Sequence, residues 1–125
     1  MKIYIAHSKD FDYKNELYLP IRNDKELKKL EIILPHEISN ISSNTRDFYR
    51  SIDLFIAECS YPAVGVGIEL GWVSDDNIPI YCIHKKGIRT SNSIKAVTSN
   101  IYEYNDKNDM LNIIKRIINK EIEKR

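Results

Sequence analysis

Residues 53–72, DLFIAECSYPAVGVGIELGW, decide the fold of this chain. The stretch begins with an apolar run that contains aromatic and β-branched members, which predicts a short buried strand over residues 53–58. A turn at 59–63 follows, and Gly65 and Gly67 are expected to open a helix. Residues without a Cβ permit a tight turn and the close approach of a ligand. This order of strand, turn and helix indicates one βα unit of a parallel sheet.

Glu69 is the charged residue of this helix start. A carboxylate in the first turn of a helix, at the C-terminal edge of a sheet, is kept ionised by the helix dipole. It also faces the crevice in which α/β folds bind ligands. We therefore expect Glu69 to act as a nucleophile, and the alternative is that it only stabilises the helix dipole.

The remaining segments alternate between strands and helices. Further strands are predicted at residues 2–6, 31–34, 78–83 and 100–104, and residues 39–44 are polar and typical of a turn. Helices are predicted from Asp12 with a break near Pro20, from Asp24, over residues 45–52 and at the end of the chain. The last helix repeats six apolar residues at helical spacing, namely Met110, Ile113, Ile114, Ile117, Ile118 and Ile122.

This alternation predicts a three-layer α/β fold. Right-handed crossovers between the strands give a five-stranded parallel sheet with a flavodoxin-like or Rossmann-like order. A chain of 125 residues has room for one core, so we expect a single domain over residues 1–125.

Composition excludes several classes of partner. The 19 basic and 18 acidic residues leave a net charge of +1, and the scattered lysines predict no binding of nucleic acid. No signal peptide and no long apolar run are recognisable, which predicts a cytoplasmic protein without a membrane partner. Cys59 and Cys82 are expected to be reduced, buried thiols.

The segments SYPAVGVGIELGW and PIYCIHKKG, residues 60–72 and 79–87, resemble the nucleoside 2-deoxyribosyltransferase family. Within it they look most like the 2′-deoxynucleoside 5′-phosphate N-hydrolases, and the resemblance extends from KIYIAHS at residues 2–8 to SNSIK at residues 91–95. It implies that Glu69 attacks the anomeric carbon of a nucleoside or nucleotide and displaces the base. A covalent glycosyl intermediate would then be transferred to another base or hydrolysed, without a cofactor.

The resemblance also implies roles for other residues. Tyr4 would place its hydroxyl near the nucleophile, although a core aromatic residue fits the same strand pattern. Asp47 is the nearest candidate for the aspartate that assists proton transfer to the leaving base, at a spacing to Asp53 two residues shorter than the family pattern. The alternative is a surface residue of a short helix. Ser93 has the spacing of a serine that reaches the phosphate site of a neighbouring subunit, which implies a homodimer or larger assembly. Ala63 departs from the serine or aspartate that contacts the 5′ group in the family.

The three histidines each follow a predicted strand. His7, His36 and His84, together with Glu37, could bind zinc, but at least one strand would separate His84 from the others, so no metal is predicted. We expect instead that His7 or His36 borders the pocket and contacts or protonates the base. The residues expected to bind substrate are His7, Ser8, His36, Ser60, Gly65, Gly67 and Ser93.

Two other function classes are compatible with the sequence. One is a non-catalytic nucleotide-binding or sensor module, which the alanine at position 63 favours. The other is a ribosyl hydrolase that acts on ribonucleotides or on a dinucleotide such as NAD.

Overall fold

The computed structural model describes residues 1–37 and 45–125, so the turn predicted at residues 39–44 lies outside the described residues. Five strands form one parallel sheet in the order β2-β1-β3-β4-β5. They are β1 (Lys2–Ala6), β2 (Glu31–Ile33), β3 (Leu54–Glu58), β4 (Ile80–Lys85) and β5 (Ile101–Tyr104). This order confirms the predicted flavodoxin-like α/β fold.

Helices cover both faces of the sheet. The α-helices are α1 (Leu19–Asn23), α2 (Arg46–Arg50), α3 (Val64–Asp75) and α4 (Lys107–Glu123). Shorter helical segments are a π-helical turn at Lys14–Tyr18 and 3₁₀ turns at Leu27–Lys29 and Asn92–Ala96. The break predicted near Pro20 is the change from π-helix to α-helix, and Pro20 lies in the first turn of α1, where its missing N–H is tolerated.

Two apolar clusters lie between the sheet and the helices on its two faces. Each face has its own cluster because successive side chains of a strand point to opposite faces. Ile3 and Ile5 of β1 pack into a core that includes Ile113 and Ile117 of α4. Tyr4 and Ala6, on the opposite face of β1, pack with residues of α2 and α3, including Tyr49, Val66 and Leu70. The side chains of one strand therefore contribute to both layers, and Tyr4 lies on the α3 side.

The main boundary error concerns β4, which begins at Ile80 instead of residue 78. Asn77 adopts a left-handed conformation with φ of 58° after α3, and the Ile78 N–H donates to the Val73 carbonyl at 3.1 Å. Ile78 therefore closes the end of the helix and does not join the sheet. At its other end β4 extends to Lys85, which pairs with Tyr104 of β5.

The apolar stripe of α4 is one residue shorter than predicted. Ile122 is 49% exposed, and Glu121 occupies the core-facing position that follows Ile117 and Ile118 at helical spacing. The Glu121 carboxylate accepts a hydrogen bond from the buried Tyr81 hydroxyl. An acidic residue can hold this position because tyrosine supplies a donor there.

Both cysteines are buried thiols without a disulfide, as expected. Among the described residues, no helix has the length and apolar character that a membrane span requires.

Candidate active site

The candidate active site is a cavity of about 630 Å³ at the carboxyl edge of the sheet. One wall is formed by residues 7–10 after β1 and by Pro35 and His36 after β2. The opposite wall is formed by residues 62–66 and by Glu69 of α3. The chain passes from β1 to β2 on one side of β1 and then crosses back to β3 on the other side, so the cavity lies at the topological switch point where such folds bind ligands.

Glu69 lies in the second turn of α3 and not in the first, because the helix begins at Val64. Its Oε2 accepts a hydrogen bond of 2.9 Å from the Tyr49 hydroxyl. Burial raises the pKa of the Glu69 carboxyl above its ordinary value, although hydrogen bonds from Tyr4 and Tyr49 act in the opposite direction. The expected position of Glu69 in the first turn is therefore wrong, and burial has the largest influence on the pKa of its carboxyl.

Two tyrosines act as hydrogen-bond donors beside this carboxylate. The hydroxyls of Tyr4 and Tyr49 are 3.4 Å apart, and their rings pack edge to face. Burial is the main cause of the raised pKa of both phenols, about 12 for Tyr49, and the negative charge of Glu69 adds to it. Both therefore remain protonated donors near neutral pH.

The structure places Tyr4 beside Glu69, but it does not bring Asp47 to the cavity. The Asp47 side chain is 91% exposed and forms an ion pair with Arg50, at 3.1 Å. Positions 47 and 49 point to opposite sides of α2, so a helix that turns Tyr49 inward must turn Asp47 outward. The sequence analysis missed Tyr49. The feature that could have identified it is the apolar face of the predicted short helix, which Tyr49 shares with Ile52.

The glycines of α3 have ordinary helical backbones. Gly65 and Gly67 lie in the first turn of α3, as expected, and among the described glycines only Gly87 has a positive φ, of 81°. A Cβ at Gly65, Gly67 or Gly71 would meet no other atom within 4 Å. Open space therefore lies beside this part of the helix, as a nearby ligand would require.

A second cavity of about 410 Å³ lies on the other side of residues 62–66. Ser60, Gly67 and Ser93 line this second cavity and not the one that contains Glu69. Ser60 donates from Oγ to Glu58 Oε2 at 2.8 Å, so its hydroxyl is already engaged. The proposed substrate contacts thus divide between two cavities, with Gly65 on the Glu69 side.

His7 is a buried histidine at the end of β1, only 6% exposed. Its Nδ1 lies 3.0 Å from the Ser8 carbonyl oxygen, and its Nε2 lies 2.7 Å from the Tyr18 hydroxyl. Burial lowers the pKa of His7 to about 4, so the ring is neutral at physiological pH. The Ser8 Oγ accepts from the Asp10 backbone N–H at 3.0 Å and shapes the turn after β1.

His36 lies beside His7 with 5.3 Å between the ring centroids, whereas His84 is on β4, two strands from β1. Burial and the nearby Lys9 lower the pKa of His36. Within residues 1–37 and 45–125, no three potential metal ligands converge on one point.

Comparison with known proteins relates the chain to others by structure alone. No protein-family model and no curated protein sequence matches it. The fold is similar to that of the CMP N-glycosidase BcmB from Clostridium botulinum, with a TM-score of 0.63 and 22% identity. The similarity covers 92% of this chain and 99% of that protein. This protein therefore shares the α/β fold of a nucleotide N-glycosidase.

Proposed function

We propose that this protein cleaves the N-glycosidic bond of a nucleotide or nucleoside, with Glu69 as the nucleophile. The observation that carries the proposal is the Glu69 carboxylate, which receives hydrogen bonds from Tyr4 and Tyr49 at a cavity of about 630 Å³. This volume is within the range of small-molecule sites, roughly 300–1,000 Å³. The structural similarity to a CMP N-glycosidase supports the same reaction class.

In the proposed reaction Glu69 forms an ester bond to the anomeric carbon as the bond from that carbon to the base breaks. The electron pair of the broken bond goes to the base nitrogen, which receives a proton. Water then attacks the anomeric carbon and releases the free sugar, or a second base attacks and gives an exchanged product. The tyrosine hydroxyls orient the carboxylate and oppose the rise in its pKa, which keeps the nucleophilic form accessible.

A 5′-phosphate is the substrate group that the start of α3 suits. The first intrahelical N–H is that of Gly67, which leaves the backbone N–H groups of residues 64–66 without helical acceptors. Ala63 provides no side-chain cap for them, and Lys9 lines the same cavity. Because unpaired N–H groups at a helix start favour anions, backbone contacts can replace the polar side chain that is absent at position 63.

A non-catalytic nucleotide-binding module is the second candidate. The outward position of Asp47 favours it, because the cavity lacks the aspartate that the family resemblance assigned to proton transfer. Hydrolysis of ribonucleotides or NAD differs from the main proposal only in substrate.

A cytoplasmic location and a homo-oligomer remain predictions. The exposed apolar residues Val64 and Ile68 on α3 are surface that a second copy could cover.

The decisive experiment measures free base after incubation with CMP, dCMP, the corresponding nucleosides and the purine nucleotides. A Glu69→Ala variant tests the nucleophile, and Glu123→Ala, at an exposed position of α4, is the matched control. We expect release by the wild type and by the control, and none by Glu69→Ala. A second free base in the reaction separates transfer from hydrolysis. Binding of a nucleotide to folded protein without any release would favour the binding module.

A further inference from the structure

His7 and Tyr18 form a chain of hydrogen bonds behind one wall of the cavity, and the donor of each bond in this chain can be assigned. The Ser8 carbonyl oxygen can only accept, so His7 Nδ1 carries the ring proton. The neutral ring therefore accepts at Nε2, and the Tyr18 hydroxyl is the donor. The oxygen of Tyr18 in turn accepts the backbone N–H of His36 at 2.9 Å.

This arrangement leaves His7 without a free ring nitrogen. Nδ1 is bonded to the Ser8 carbonyl and Nε2 to the hydroxyl of Tyr18. A proton delivered from His7 to a substrate would break the first bond, and a buried imidazole is costly to charge. Of the two histidines expected at this site, His7 is therefore the structural one.

His36 has the opposite properties. Its side chain is exposed toward the cavity, and no hydrogen bond from residues 1–37 or 45–125 occupies its ring nitrogens. Its backbone is held by the Tyr18 hydroxyl, and its ring packs 5.2 Å from that of Tyr13 and 5.3 Å from that of His7. The imidazole is thus fixed in position but chemically available.

The location of His36 suits the departing base. In a displacement at the anomeric carbon, the leaving base is on the side of the sugar opposite to the nucleophile. Glu69 approaches from the α3 wall, and the opposite wall carries His36, Lys9 and Asp10 as its titratable side chains apart from His7. The Lys9 ammonium has no acceptor atom for the donor groups on the edge of a base. Asp10 is the other candidate for the group that protonates the base.

We infer that His36 contacts the leaving base and donates its proton, while His7 and Tyr18 position His36 without touching the substrate. This inference rests on the proposed function. As the glycosidic bond breaks, its electron pair passes to the base nitrogen. The imidazolium form of His36 gives its proton to the base, neutralises the charge that develops there and becomes the neutral ring. The water that later hydrolyses the ester on Glu69 returns a proton to His36.

The kinetic test compares leaving groups that require a proton with leaving groups that do not. Cytosine needs a proton when it leaves CMP. In nicotinamide mononucleotide and 7-methylguanosine monophosphate the base itself carries a positive charge, so it leaves as a neutral molecule without a proton. We expect His36→Gln to lower kcat on CMP by about 100-fold or more, the usual scale of acid catalysis. It should change the rate on the cationic substrates less than about threefold. Equal losses on both classes would overturn the inference.

Three further variants identify the roles. His84→Gln is the matched control, because His84 lies on β4 outside the cavity. Tyr18→Phe removes the donor to His7 and the acceptor for the His36 N–H, and we expect a loss of about tenfold on CMP with little change on the cationic substrates. An Asp10→Asn variant that shows the selective loss expected of His36→Gln would reassign the acid to Asp10.

A binding measurement tests the contact even if no base is released, which keeps this inference separate from the proposed function. Histidine ring signals are followed by NMR in Glu69→Gln protein during titration with CMP and with ribose 5-phosphate, which lacks a base. We expect the His36 signal to shift with CMP and not with ribose 5-phosphate, while the His84 signal stays constant. No His36 shift, or equal shifts with both ligands, would contradict the inference.

Discussion

Glu58 and Glu69 belong to the same strand-turn-helix unit, yet they use a carboxylate in different ways. Glu58, 1% exposed at the end of β3, accepts hydrogen bonds from the Ser60 N–H at 2.7 Å, the Ser60 hydroxyl at 2.8 Å and the Tyr104 hydroxyl. Glu69 is only partly buried, and it faces a cavity as well as its tyrosine donors. The Glu58 carboxylate is enclosed by protein, whereas that of Glu69 has room for a ligand.

This difference shows that burial alone does not indicate function. A buried carboxylate enclosed by donors holds distant segments together, here the turn after β3 and the end of β5. A partly desolvated carboxylate beside a cavity remains accessible to a ligand. Among the described residues no buried side-chain polar atom lacks a hydrogen-bond partner, so the open space beside Glu69 is its distinguishing feature.

The largest effect is expected from Glu69→Gln. The amide cannot form the glycosyl ester, so base release should fall by at least about 1,000-fold, or about 4 kcal/mol of transition-state stabilisation. The midpoint of thermal unfolding should stay the same or rise, because an amide is cheaper to desolvate than a carboxylate. Base-release assays and thermal unfolding of the same preparation measure both effects. A large loss of stability would place Glu69 in the same structural class as Glu58.

The reverse result is expected for Glu58→Ala. This change leaves the Ser60 N–H and the hydroxyls of Ser60 and Tyr104 without their acceptor, at about 3 kcal/mol of unfolding free energy. For a chain of this size that corresponds to a fall of about 10 °C in Tm. Glu103→Ala, which removes an exposed acceptor of the Gly87 N–H, is the control and should cost less than about 0.5 kcal/mol. Equal stability of the two variants would refute the structural role of Glu58.

The tyrosine partners give a smaller and more specific contrast. Tyr104→Phe should lower the free energy of unfolding by about 1.5 kcal/mol, because Glu58 loses one donor. Tyr49→Phe removes a hydrogen bond that lowers the pKa of Glu69, so that pKa should rise further. The acidic limb of the profile of kcat/KM against pH then moves to higher pH. An unshifted limb in Tyr49→Phe would show that this hydroxyl does not influence the pKa of Glu69.

The smallest effect concerns the pH dependence of stability. The pKa of Glu69 in the folded protein is above that of the unfolded chain, so the folded state binds a proton more readily. The ionised carboxyl therefore reduces stability above the folded pKa, and this cost disappears as the pH falls toward the unfolded value. Glu69→Gln should exceed the wild type in Tm most clearly at pH 8, and the difference should vanish in acid. A constant difference from pH 8 to pH 4 would contradict the raised pKa.

Local periodicity explains which parts of the fold could be predicted. The apolar runs of β1 and β3 and the apolar stripe of α4 are strong signals, because each depends on residues close together in the chain. The start of β4 was misplaced because Ile78 closes the end of α3, a contact that the alternating pattern does not encode. Glu69 was predicted from its local sequence and the resemblance, but the Tyr49 contact with Glu69 was missed because it depends on how α2 packs against α3.

The sequence by itself determined the parallel α/β sheet and the candidate nucleophile, Glu69, since both follow from patterns within short segments. Only the tertiary structure decided the direction of the Glu69 pKa, the outward position of Asp47 and the engagement of both ring nitrogens of His7. These properties depend on desolvation and on the direction of hydrogen bonds between groups from distant segments. Such groups meet only when the chain has folded, so no local pattern records them.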